Sequence, residues 1–143
     1  MSTIGLIARL GAAAAFTLIA GVAAADPCEA PVSGYRPGQR VSAPIIYVGD
    51  GDSFCLALGR DPSQWLEIRE ARWFAPELHD LGGREAKRAM DRLVGRRATC
   101  TVERGHNGQT QSYDRVIAAC TVDGLPIAEH MRRAGIAPGG RGR

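Results

Sequence analysis

The stretch that most constrains this chain runs from Tyr47 to Glu77, YVGDGDSFCLALGRDPSQWLEIREARWFAPE. Asp50-Gly51-Asp52 reads as a turn. Ser53–Leu58 follows as an apolar strand, Gly59–Ser63 as a loop, and Gln64–Phe74 as the next strand. Arg40–Val48 is strand-like as well, and Pro44 within it argues for an edge or a bulge. Three consecutive strands with short turns make a meander. Along it, two acids open one strand, Arg69 sits within the next, and Glu77 stands just beyond that strand behind Pro76. Carboxylates suit hard cations. Phosphoryl chemistry needs a cation, an arginine and a base held together, and one hairpin can bring all three close.

After the meander the period changes. Leu78–Gly83 is a loop. In Arg84–Gly95 the residues Ala86, Ala89, Met90, Leu93 and Val94 recur at helical spacing, and Gly95 suits a helix end. Arg96–Glu103 is a fourth strand and Arg104–Ser112 a polar, glycine-containing loop. Tyr113–Val122 is a fifth strand, closed by the Asp123-Gly124 turn. Pro126–Ala134 is a short helix with Ile127, Met131 and Ala134 on one face and Gly135 at its end. The order is three strands, helix, two strands, helix. This predicts a mainly β, α+β fold: a five-stranded Greek-key barrel of the OB type with two helices.

The chain has 143 residues, enough for one domain. Residues 1–25 read as a secretory signal peptide: a short head with Arg9, an apolar Leu10–Ala25 run, and Ala23-Ala24-Ala25 as a cleavage site. The run is shorter than the roughly 20 residues of a membrane span. Residues 26–40 are an extended N-terminal arm, 41–137 the folded domain, and 138–143 a flexible basic tail. The expected location is periplasmic or secreted, with no stable membrane association after signal cleavage. A net charge of +3 permits a nucleic-acid partner without demanding one. Cys28, Cys55, Cys100 and Cys120 lack zinc-ligand spacing. An even count in an exported chain points to two disulfides, with three pairings open.

Several short pieces carry a resemblance: Asp50-Gly51-Asp52-Ser53, Arg69, Ala75-Pro76-Glu77, Gly83 before a helix, Tyr113-Asp114-Arg115, and Asp123-Gly124 through Gly135-Ile136-Ala137. In this order and spacing they resemble the staphylococcal-nuclease-like (thermonuclease) family, from about Ser42 to Ala137. The resemblance implies an OB-fold nuclease domain. It would be a monomeric, metal-dependent hydrolase, most often calcium-dependent, that cleaves phosphodiesters of DNA or RNA. It also implies roles. Asp52 would bind the metal, supported by Asp50 and the Ala75 backbone carbonyl. Glu77 would be the general base. Arg69 and Arg115 would grip the phosphate and stabilise its transition state, with Tyr113 beside the substrate. The family pattern makes the strands of Cys100 and Cys120 neighbours, so these two would bond across strands. Cys55, facing outward, would then bond Cys28 of the arm.

Phe74 departs from the pattern. It stands where the family has a second metal-binding aspartate, and it cannot coordinate. The alternative function is therefore a catalytically weak or inactive OB-fold module that binds nucleic acid or a protein partner outside the cytoplasm. A structural domain without a ligand is a third reading. By alternation Leu66, Ile68 and Glu70 share the inward face. A buried Glu70 needs a partner. Arg72, two positions on, is the expected one, and the sharper alternative makes Glu70 the missing metal ligand. His79, His106 and His130 are expected at the surface, and Trp65 and Trp73 in packing.

Overall fold

The computed structural model describes residues 25–139. The expected signal peptide lies outside these residues except for Ala25, as do Arg141 and Arg143 of the expected tail. The elements are β1 (Arg40–Val48), β2 (Ser53–Ala57), β3 (Trp65–Glu70), α1 (Gly83–Asp91), β4 (Arg97–Val102), β5 (Gln111–Ser112), β6 (Arg115–Val122), β7 (Leu125–Pro126) and α2 (Ile127–Arg133).

Five strands close into a barrel in the order β3-β2-β1-β4-β6, sealed by parallel pairing of β3 with β6. With the two helices this is the expected OB-type barrel. Strand β1 makes closure possible. Its first half, Arg40–Pro44, pairs with β4, and from Ile45 onward it pairs with β2 through a bulge between Ile45 and Tyr47. Pro44 sits at the changeover, where its missing N–H interrupts no continuing ladder.

The interior is filled by alternate residues of the strands, among them Ile45, Phe54, Leu56, Leu66, Ile68, Val102, Val116 and Val122, all fully buried. Helix α1 adds Ala86, Ala89 and Met90, and α2 adds Ile127 and Met131. Each large side chain of this set contributes about 1.5–3 kcal/mol by leaving water. Val94, expected on the same face, is exposed: α1 ends at Asp91, and Leu93 reaches the core from the following turn.

Both expected disulfides are formed, Cys28–Cys55 and Cys100–Cys120. The second joins directly paired residues of β4 and β6. The first fastens the N-terminal arm over the outer face of β2. Glu29 and Ala30 extend that attachment, donating to the carbonyls of Pro62 and Trp65 at 3.0 Å each. Two disulfides suit an oxidising environment. No helix among the described residues is long and apolar enough to cross a membrane.

Other features also differ from expectation, and β6 begins at Arg115, after the Tyr113–Asp114 turn. Strand β3 stops at Glu70, because the chain turns there and the Glu70 carboxylate takes the Arg72 N–H at 3.1 Å. The loop after β4 contains the two-residue strand β5. The tail begins docked: Gly139 N–H donates to the Phe74 carbonyl at 2.7 Å.

Candidate active site

The turn at Asp50–Asp52 is built locally. Asp50 Oδ1 accepts the Asp52 N–H and the Ser53 hydroxyl, each at 2.9 Å. Gly51 allows this turn to lie flat against its neighbours. A Cβ there would meet those of Ala75 and Ala86 at 2.5 and 2.6 Å, so only glycine fits between the segment after β3 and helix α1. Trp73 fixes the same turn, its indole N–H donating to the Gly51 carbonyl at 3.1 Å.

Asp52 is thereby held inside, only 2% exposed. One of its oxygens pairs with Arg69 Nη1, and the other accepts the Ala75 N–H at 2.8 Å. Burial pushes the Asp52 carboxyl up to about 7, against the pull of Arg69 and the Ala75 N–H and with the push of Asp50. The Arg69 guanidinium also lies over the Phe74 ring, 5.8 Å from its centre. Beside this pair opens a groove of about 440 Å³, lined by Arg69, Phe74, Arg104, His106, Asn107 and Ile117.

Glu77 is exposed two residues past Ala75, and its carboxylate makes no hydrogen bond or ion pair among the described residues. Its backbone is fixed by Gly83. The Glu77 carbonyl accepts the Asp80 N–H at 2.9 Å, and a Cβ on Gly83 would fall 1.8 Å from that carbonyl oxygen. Arg115 opens β6. The β3–β6 register pairs Ile68 with Val116 and Arg69 with Ile117, so Arg115 stands beside Glu67 on the outward face that also bears Arg69. Tyr113 is 89% exposed at φ 56°, in the two-residue turn between β5 and β6.

Glu70 differs from its expected role. Its carboxylate accepts the N–H groups of Arg72 and Cys120, each at 3.1 Å, while the Arg72 guanidinium pairs with Glu103. With both oxygens on backbone donors inside the barrel, it replaces no metal ligand at Asp52. Burial raises its carboxyl to about 7, opposed by those two bonds.

The calcium site implied by the resemblance does not fit these residues. Calcium takes six to eight oxygens. Here both oxygens of Asp52 are engaged, Phe74 offers none, and one Asp50 oxygen holds the turn. The Ala75 carbonyl is crowded by Gly139, where an added Cβ would come within 2.4 Å of it.

Glu67 is a residue that the sequence reading passed over. It faces outward opposite Cys55 and is nonetheless buried, and its Oε2 has no hydrogen-bond partner among the described residues. Alternation with Leu66 and Ile68 puts it on the face of Arg69, which was the available signal. The groove residues Arg104, His106 and Asn107 carried no comparable signal.

The fold and this arrangement define a small OB-type barrel with a buried acid–arginine pair beside an open groove. No family model and no curated protein matches the chain.

Proposed function

We propose that this chain is an exported phosphodiesterase, periplasmic or secreted, that hydrolyses DNA or RNA as a monomer of the staphylococcal-nuclease-like kind. The observation that carries the reading is the bond from Ala75 N–H to Asp52, which ties the segment leading to Glu77 to the acid that orients Arg69. Asp52 engages one guanidinium nitrogen, and the remaining donors of Arg69 are a planar fork for phosphate oxygens. Arg115, on the same face, adds a second cation. Water attacks phosphorus while Glu77 accepts its proton, the bond to the leaving oxygen breaks, and that oxygen takes a proton from solvent. Asp52 is the positioning residue for Arg69.

Phe74 favours a second reading, a nucleic-acid-binding module without turnover. Its ring would then serve as a platform in the groove, since base stacking on aromatics is tolerant of sequence. The test is degradation of single-stranded DNA by the oxidised protein in calcium, magnesium, manganese and chelator, beside Phe74→Asp. An impaired nuclease cleaves slowly and gains rate with the added carboxylate. A binding module cleaves in none of these conditions and gains nothing from the substitution.

A further inference from the structure

Glu67 is a buried carboxylate with company of its own sign. Asp26 of the arm reaches it because the Cys28–Cys55 disulfide draws the arm over β2, and Cys55 is the residue opposite Glu67. Asp114 reaches it from the turn before β6, next to Arg115. One carboxylate oxygen from each of Asp26, Glu67 and Asp114 lies within 4.8 Å of the others. Three separate segments of chain thus converge three acids on one point.

Glu67 is only 7% exposed, yet its Oε2 has no hydrogen-bond partner among the described residues. A buried polar atom in this state is costly and calls for a partner. Arg115 is the facing cation, and Asp50 adds a further negative field. One arginine against three carboxylates leaves two negative charges, the charge a divalent ion would balance. Two oxygens bound to one calcium at 2.3–2.6 Å can be no more than about 5 Å apart, which the cluster satisfies. Asp26 is already oriented, its Oδ1 taking the Cys28 N–H at 3.0 Å. Asp114 is exposed, so the site has a route for the ion and room for the waters that complete its shell.

We propose that Asp26, Glu67 and Asp114 bind a hard divalent cation of the calcium class, which pins the N-terminal arm and the Tyr113–Asp114 turn to β3. The site is separate from Asp52 and does not rest on the phosphodiesterase reading. The ion would steady the turn from which Arg115 emerges.

The test is thermal unfolding of the oxidised protein in chelator and in calcium, for wild type, Glu67→Gln and Asp114→Asn, with calorimetric titration of calcium alone. Asp114 is a surface residue, so its variant folds even if the buried one does not. At about 100-fold excess of calcium over its dissociation constant, the wild type should gain several degrees. Neither variant should gain. In chelator Glu67→Gln should melt no lower than wild type, because it relieves repulsion, and calcium should reverse that order. No calcium shift in the wild type, or an equal shift in both variants, would overturn the proposal.

Discussion

Asp52, in the turn that leads into β2, and Glu67, on the neighbouring β3, are two buried acids of one barrel, and burial pushes both carboxyls up to about 7. Asp52 has Arg69 on one oxygen and the Ala75 N–H on the other. Glu67 has an oxygen with no hydrogen-bond partner among the described residues, and two further acids press on it. Asp52 is satisfied by its own fold and orients an arginine toward a groove. Glu67 is left to be satisfied from outside. The same residue chemistry, at similar burial, does opposite things according to which segments the topology brings beside it.

The largest effect is expected at Asp52. Asp52→Ala leaves Arg69 partly buried and unpaired and frees the Ala75 N–H. It should cost about 3–5 kcal/mol in urea unfolding, and a loss below 1 kcal/mol would mean that the pair does not hold the site together. Glu70, the third buried acid, sharpens the contrast through pH. Its carboxyl rises from the ordinary 4.5 to about 7, so its contribution to stability is complete below about pH 4.5 and is lost as pH rises through about 7. Wild type should therefore lose more stability than Glu70→Gln between pH 5 and 8, by on the order of 2–3 kcal/mol. Parallel pH profiles for the two proteins would refute that assignment.

Gly83→Ala is a subtler probe, because its Cβ collides with the Glu77 carbonyl. It should cost about 1–3 kcal/mol and slow DNA cleavage more than it weakens DNA binding, as a displaced base would. Equal losses in both would point to general unfolding of the loop. The smallest effect belongs to Glu67→Gln in chelator, expected within about 1 kcal/mol of wild type, since it removes an unsatisfied charge and no hydrogen bond. A large destabilisation there would show that Glu67 is paired within the fold after all.

Much of the barrel was legible in the sequence, for local reasons. Strand β1 runs from Arg40 to Val48 as its pattern and flanking turn require, and Pro44 marks the point where it changes partners. The inward alternation of Leu66, Ile68 and Glu70 held, because one face of β3 packs on the core. What escaped was nonlocal. Helical spacing extended α1 to Val94, but the backbone leaves the helix after Asp91 to bring β4 alongside β1. Arg72 was expected on Glu70, yet backbone N–H groups from the chain turn and from β6 took that carboxylate first. The acids around Glu67 come from positions far apart in the chain, gathered by a disulfide, so no spacing rule joins them. Gly139 over Phe74 and Ala75 was equally invisible, since it depends on where the chain travels after α2.

The most direct measurement follows one labelled single-stranded oligonucleotide for both binding and cleavage, with wild-type protein and Glu77→Gln. The Glu77 side chain is exposed and makes no hydrogen bond or ion pair among the described residues, so its substitution should leave the fold and DNA affinity intact while lowering the cleavage rate about 10²–10⁴-fold. Cleavage by Glu77→Gln at the wild-type rate would contradict its role as base. Equal binding by both proteins with no cleavage by either would contradict the phosphodiesterase itself and leave a nucleic-acid-binding barrel.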